Sequence, residues 1–161
     1  MADKTGGCLC GGVRFSARGI ETHHHACHCG MCRRWSGGPV LAAEVDGLTF
    51  DGVDNLARYE SSDWAERGFC RNCGSSLFYH LKPQGLYMVC VGAFDDPTGF
   101  QLTSEIFIDH KPAGYAFAGD HPRLTEAETL ARFAPSETPA TSGRADGSSP
   151  DASLSQSDLQ P

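Results

Sequence analysis

The sequence predicts a small, mainly β fold of short antiparallel sheets held together by metal ions, with one short C-terminal helix. Three observations predict it: several short segments with strand patterns, nineteen glycines, and eight cysteines of which seven fall in three tight groups. Short strands joined by glycine-rich turns are typical of small β architectures. Cysteines separated by one or two residues can present their sulfurs to one metal ion.

The strand predictions depend on alternation and on short apolar runs. Val13, Phe15 and Ala17 alternate with polar residues, which indicates a strand with one face in solvent. The segment Lys82–Gly85 has the composition of a hairpin turn between two further strands. The predicted strands cover residues 13–17, 40–45, 76–81, 86–94 and 105–109.

One helix is predicted near the C-terminal end of the folded part. Thr125 and Glu128 have the spacing of a capping box, in which each side chain bonds to the other residue's backbone N–H. Leu124, Leu130 and Phe133 can supply the apolar face of this helix.

The length of 161 residues suits one domain. Residues 135–161 contain seven Ser, four Pro and no aromatic residue, so they cannot bury enough apolar surface to offset the entropy of ordering. The sequence therefore predicts a folded, zinc-binding domain at 5–134 and a disordered tail at 135–161.

The charge balance argues against several classes of protein. A formal charge of −7 disfavours a nucleic-acid binder, which usually presents a basic face. No apolar run reaches the roughly 18 residues of a membrane-spanning helix, and the first residues do not form a signal peptide. Cysteines in a chain without a secretory signal indicate a reducing compartment, so we expect a cytoplasmic protein.

The three cysteine groups predict two zinc sites. A closed structural zinc site takes four ligands, whereas a zinc with three protein ligands keeps a position for water or substrate. Seven ligands divide naturally into four and three. The expected four-cysteine cluster is Cys8, Cys10, Cys70 and Cys73, and the expected triad is Cys27, Cys29 and Cys32.

Spacing alone does not force this division. A triad closed by His28, by one of the histidines of the run 23–25, or by Cys90 would also be chemically sound. We interpret the run 23–25 as a solvated loop and Cys90 as a small core residue of a strand. Arg33 and Arg34 follow the triad and could offset its negative charge or bind an anionic substrate.

The motifs together resemble those of the glutathione-dependent formaldehyde-activating enzyme family, which shares its domain with centromere protein V. The resemblance rests on the cysteine motifs within residues 7–15, 27–34 and 69–77, and extends to 91–95 and 105–108. It covers about residues 5 to 120, and the three motifs stand in the order and at the distances typical of the family.

The resemblance implies a β-tent fold of small sheets pinned by zinc. It implies a structural zinc on the four-cysteine cluster and an active-site zinc on the triad, so Cys27, Cys29 and Cys32 are the candidate catalytic residues. The family's namesake activity joins formaldehyde to glutathione, giving S-hydroxymethylglutathione, and is classed as a carbon–sulfur lyase. The expected partners are therefore a small-molecule thiol and an aldehyde, with no nucleic acid and no membrane.

Zinc at an open position would deprotonate a bound thiol, which could then add to an aldehyde carbonyl. The developing alkoxide needs a hydrogen-bond donor or a cation, for which Arg33, Arg34 and the run 23–25 are the candidates near the triad in sequence. The alternative function is a non-catalytic, zinc-stabilised module that binds a protein partner. A third hypothesis is a redox sensor in which the triad is oxidised.

Overall fold

A computed structural model describes residues 3–133 of the chain. The tail predicted at 135–161 lies outside the described residues. Within them, neither helix is long and apolar enough to cross a membrane. The strands are β1 (Lys4–Gly7), β2 (Arg14–Ile20), β3 (His23–Cys27), β4 (Val40–Asp51), β5 (Leu56–Ser62), β6 (Ala65–Cys70), β7 (Ser76–Leu81), β8 (Leu86–Cys90), β9 (Gln101–Ile106) and β10 (Arg123–Leu124), and the helices are α1 (Gly30–Ser36) and α2 (Glu126–Phe133).

Hydrogen bonds connect the strands into one continuous sheet in the order β10-β9-β3-β4-β8-β7-β6-β5, with β1 and β2 on a branch from β4. Most pairs are antiparallel, but β9 pairs parallel with both β3 and β10. The long strand β4 joins the two parts, because residues 40–45 pair with β3 and β8 while residues 45–51 pair with β2.

The mainly β class and the C-terminal helix are confirmed. The predicted strand 76–81 coincides with β7, whereas the strand predicted at 86–94 ends at Cys90 and continues as a 3₁₀ turn over Val91–Ala93. The strand predicted at 105–109 instead spans Gln101–Ile106. Its end is set by Phe107, whose φ of 56° lies in the left-handed region and so breaks the extended backbone.

Two features were not foreseen from sequence. The histidine run, interpreted as a solvated loop, is β3, and His24 is buried within it. Helix α1 begins within the second cysteine motif, and its seven residues make too few turns for a periodic apolar pattern. Gly37 ends α1 in a left-handed conformation with φ of 77°, which glycine adopts without steric cost.

The core divides into two clusters of buried apolar side chains. The larger lies under β2, β4, β6 and β7 and is centred on Phe15 and Phe78, with Phe50 and Phe94 packed edge-on or tilted against them. A Cβ on Gly68 would lie 2.1 Å from the Phe78 ring, so only glycine fits there. The smaller cluster, of Val40, Ala42, Met88 and two cysteines, lies beneath α1.

Candidate metal centres and the cavity beside them

The four-cysteine cluster forms where two distant turns meet. Cys8 and Cys10 follow β1, Cys70 ends β6, and Cys73 lies in the turn before β7. Their sulfur atoms lie within 4.8 Å of one another. All eight cysteines of the chain are free thiols, so no disulfide accounts for this approach.

The spacing of the sulfurs fits a tetrahedral metal. The Cys8 and Cys10 Sγ atoms are 3.5 Å apart, and those of Cys10 and Cys70 are 3.8 Å apart. Zinc–sulfur bonds of about 2.3 Å in a tetrahedron separate the sulfurs by about 3.8 Å. The cluster can therefore hold a zinc ion and would link turns 60 residues apart in sequence.

Backbone and hydroxyl groups around this cluster favour thiolates. The Val13 N–H donates to Cys8 Sγ at 3.2 Å. Hydrogen bonds from the Ser75 hydroxyl and its backbone N–H lower the pKa of Cys73 to about 5. Gly74, with φ of 74°, closes this turn by donating its N–H to the Cys70 carbonyl at 2.8 Å. These donors lower the cost of gathering negative sulfurs.

The triad comes from one continuous segment. Cys27 ends β3, Cys29 is the N-cap of α1, and Cys32 lies in the first turn of that helix. Their Sγ atoms also lie within 4.8 Å of one another. Hydrogen bonds from the Cys27 and Cys32 thiols, together with N–H donors of α1, lower the pKa of Cys29 to about 2. The hydrogen bond between Cys27 and Cys29 raises the pKa of Cys27.

Within residues 3–133, no fourth ligand side chain joins the triad. The His28 ring contacts Tyr115 and Glu105 instead, and His25 contacts the Tyr79 hydroxyl at 3.0 Å. Cys90 packs near the triad but lies outside its group of sulfurs. The closures that spacing left open are therefore absent from this geometry.

Arg67 is the site residue that sequence reasoning missed. It lies on β6, only 6% exposed, with its two terminal guanidinium nitrogens 3.8 and 3.9 Å from Cys32 Sγ. It stacks over Trp35 and beside Tyr79. None of the ion pairs of the described part involves Arg67, and its guanidinium hydrogen bonds go to Cys32 Sγ. Nothing in the sequence signals this placement, because Arg67 is 35 residues from Cys32.

The arginines expected to serve the triad are placed differently. Arg33 Nε donates to the His28 carbonyl at 3.0 Å, so it holds the backbone of the ligand segment. Arg34 lines the cavity described below. Of the run 23–25, His23 is exposed near Glu21 and only His25 approaches the region of the triad, through Tyr79.

A buried polar network fixes the ligand segment from behind. His28 is fully buried and contacts Tyr115 Oη through Nδ1 and Glu105 through Nε2, each at 2.8 Å. The other oxygen of Glu105 accepts from His121 and Arg123, each at 2.9 Å. Burial tends to raise the pKa of Glu105, but its three donors lower it below the usual range. Because His28 stands between two triad cysteines, this network orients both.

A cavity of about 620 Å³, here called the triad cavity, opens beside the triad. All three triad cysteines line it, together with Arg67 and Tyr79. Its remaining walls come from α1, the β5–β6 turn, the β7–β8 hairpin, the end of β9 and α2. The triad therefore faces space that a small molecule can enter, and the four-cysteine cluster contributes no residue to it.

Comparison with known proteins agrees with this arrangement. The sequence profile of the family described as glutathione-dependent formaldehyde-activating enzyme matches residues 3–110. An uncharacterized lyase of Schizosaccharomyces pombe is 30% identical over 132 residues, which cover 81% of this chain and 96% of that protein. A Halomonas elongata protein, provisionally named a glutathione-dependent formaldehyde-activating enzyme, is 32% identical over 85 residues, covering 45% of this chain and 53% of that one.

A solved structure supports the fold. The crystal structure of a Rhodobacter sphaeroides protein matches with a TM-score of 0.50 at 23% identity, covering 74% of this chain and 98% of the other. The family profile spans all three cysteine motifs and most of the strands. On this evidence the chain belongs to the glutathione-dependent formaldehyde-activating enzyme family.

Proposed function

We propose that this chain is a zinc-dependent carbon–sulfur lyase that joins a glutathione-like thiol to a small aldehyde such as formaldehyde, or catalyses the reverse step. The observation that carries the proposal is the triad: three clustered thiols, without a fourth protein ligand in the described range, lining a cavity of about 620 Å³. The names of the relatives, lyase and formaldehyde-activating enzyme, support the same reaction class.

The donor sets fit two zinc ions with different roles. Four thiols within 4.8 Å of one another suit a closed structural site at Cys8, Cys10, Cys70 and Cys73. Three thiols at Cys27, Cys29 and Cys32 suit a site that keeps one position for substrate. A zinc ion held by these three cysteines would lower the pKa of a substrate thiol bound at the remaining position.

The chain's own residues position the reactants and balance the charge. Three thiolates and one zinc ion sum to −1, and the adjacent Arg67 guanidinium brings the group to neutrality. This cation lowers the cost of adding an anionic sulfur in a buried site. Arg67 also lines the triad cavity, where it can donate to the alkoxide that develops as the carbonyl is attacked. We assign that role to Arg67, because Arg33 is engaged with His28.

The proposal is tested with cobalt-substituted protein and glutathione. Cobalt reports sulfur ligation by its visible spectrum, so a saturable spectral change on adding glutathione places the thiol at the triad. The Cys29→Ser variant should lose this change and all turnover of formaldehyde with glutathione, measured by NMR exchange, while its far-ultraviolet circular dichroism stays native. The Cys90→Ser variant, which alters a cysteine outside both clusters, should keep both properties.

Two results would overturn the proposal. One is a Cys29→Ser variant with full turnover. The other is a cobalt spectrum with two closed sites that ignores thiols, which would favour the alternative of a zinc-stabilised protein-binding module.

A further inference from the structure

Three large apolar side chains that line the triad cavity are exposed to solvent. Met31, Trp64 and Leu130 are 41%, 48% and 57% exposed, and all three line the cavity. They come from α1, the β5–β6 turn and α2. A single exposed apolar side chain needs no explanation, but three that converge from separate elements on one opening indicate a surface that binds an apolar group.

Further apolar side chains line the walls of the triad cavity. Leu81, Ile106 and Phe107 also line the cavity. Phe107 has a φ of 56°, the only positive φ at a non-glycine residue among residues 3–133. An aromatic residue in the left-handed region is strained, and such strain is concentrated at functional sites. At this position it presents a large apolar side chain to the cavity.

Buried polar groups lie beside the triad, while Arg34, Gln84, His110 and Glu126 are exposed residues that also line the cavity. Cys27, Cys32 and Arg67 are all at least nine-tenths buried and line the cavity. The Tyr79 hydroxyl beside them is engaged with His25. The cavity therefore combines a buried, charged region beside the triad with large apolar side chains in its walls, so a ligand that fits it carries one polar reacting end and an apolar part.

The volume of the triad cavity also favours a ligand with an apolar part. A volume of about 620 Å³ falls in the range of roughly 300–1,000 Å³ typical of pockets for drug-sized ligands. Formaldehyde, with one carbon and one oxygen, would leave the apolar walls unused. A peptide-like thiol would leave its amides without partners if it lay against those walls.

We infer that the aldehyde substrate carries an apolar substituent the size of a phenyl ring or a short alkyl chain. This inference rests on the proposed function. The substituent packs against Trp64, Phe107 and Leu130, and the carbonyl group lies between the triad and Arg67. The polar part of the thiol then extends toward solvent, with Arg34 and Gln84 among the polar residues that line the cavity.

The reaction itself is balanced without an oxidant or reductant. The thiol loses its proton, and its sulfur lone pair forms a bond to the carbonyl carbon. The C=O π pair moves to oxygen as an alkoxide, which takes up one proton. The net change is RSH + R′CHO ⇌ RS–CH(OH)R′, and the reverse breaks the same C–S bond.

The first test compares aldehydes on the full-length, zinc-loaded protein. With glutathione held constant, phenylacetaldehyde and hexanal should show kcat/KM at least about tenfold above formaldehyde. Leu130→Glu places a charge at the cavity lining and should lower kcat/KM for phenylacetaldehyde about tenfold more than it lowers kcat/KM for formaldehyde. Val53→Glu is the matched control, because Val53 is equally apolar, 61% exposed and outside the cavity.

The second test measures binding without turnover. The chain has two tryptophans, and Trp64 stands at the rim of the cavity. Titration with 2-phenylethanol, the unreactive alcohol of phenylacetaldehyde, should change tryptophan fluorescence in a saturable manner. Trp64→Phe should remove this change, Leu130→Glu should weaken binding about tenfold, and Val53→Glu should leave it as in the wild type.

The outcomes separate this inference from the proposed function. Turnover of formaldehyde with no preference for larger aldehydes, and no saturable binding of 2-phenylethanol, overturns the inference and leaves the lyase proposal standing. Saturable binding that Leu130→Glu weakens, with no turnover of any aldehyde, supports the apolar ligand class and overturns the lyase reaction.

Discussion

The four-cysteine cluster and the triad use the same ligand but are built in opposite ways. The four-cysteine cluster joins two turns 60 residues apart, whereas the triad lies within six consecutive residues. None of the four lines the triad cavity, whereas all three triad cysteines do. A site that joins distant segments contributes to folding, and a local site with an open face is free to serve chemistry.

The difference extends to the surroundings of the sulfurs. Backbone N–H groups and Ser75 surround the four-cysteine cluster, which sits at the end of the larger apolar core. The triad instead has a buried arginine on one side and a buried ionic network behind it. A charged environment costs stability, and it is retained where a reaction needs it.

The largest expected effect tests this division directly. Cys70→Ser should lose cooperative thermal unfolding, because structural zinc contributes about 10 kcal/mol or more and a domain of this size has about 5–15 kcal/mol in total. Cys29→Ser should unfold cooperatively, close to the wild type. Circular dichroism melts with metal analysis measure both, and a strong chelator should reproduce the Cys70→Ser result. Equal melting of the two variants would contradict the comparison.

The network behind the triad gives the next largest effect. Glu105→Gln should destabilise the protein by about 3–5 kcal/mol, because the buried rings of His28 and His121 then face a neutral amide. Urea unfolding measures the loss. Glu60→Gln, on an exposed pair with Lys82, is the control and should change stability by less than about 1 kcal/mol.

The same variant should alter the acid dependence of stability. The hydrogen-bonded Glu105 has a pKa below its usual value of about 4.3, so its contribution is present above that value and is lost as the pH falls below it. The free energy of unfolding in urea should therefore fall more steeply toward acid pH for the wild type than for Glu105→Gln. Parallel pH profiles would show that the carboxylate is not held ionised.

Arg67 should affect one metal site and leave the other unchanged. Arg67→Met keeps the bulk of the side chain and removes the cation beside Cys32, which should weaken metal binding at the triad about 10- to 100-fold, the effect of losing a hydrogen bond to a charged group. Competition with a chromophoric chelator measures this. The four-cysteine cluster should bind as before, and Arg58→Met, which alters an exposed pair with Glu66, should change neither site.

The smallest expected change in stability concerns the N-terminal cap of α2, a helix that lines the triad cavity. The capping box of α2 is formed as the sequence predicts, with Thr125 N–H donating to Glu128 at 2.8 Å and Glu128 N–H donating to Thr125 Oγ1 at 3.3 Å. Thr125→Ala should cost about 1 kcal/mol by thermal unfolding. Thr125→Ser keeps the hydroxyl and should stay within about 0.5 kcal/mol of the wild type. A loss as large as that of Glu105→Gln would mean that α2 is integral to the core.

Local chemistry explains what could be predicted. Cysteine spacing indicated both groups of sulfurs, because ligands one to three residues apart must lie close in space. The hairpin 76–90 and the capping box of α2 could also be predicted, since turn residues and helix caps depend on residue types only a few positions apart. The strand of histidines was not, because its burial comes from pairing with β4 and β9 rather than from its own apolar pattern.

The sequence by itself determined the mainly β class, the seven candidate ligands and the family. Each of these depends on residue types at short separations. Only the tertiary structure decided that Arg67 lies beside Cys32, that Glu105 holds His28, and that Met31, Trp64 and Leu130 meet at one opening. These contacts join residues tens of positions apart, and the order of the strands in the sheet, β9-β3-β4-β8-β7-β6, which no local pattern specifies, brings them together.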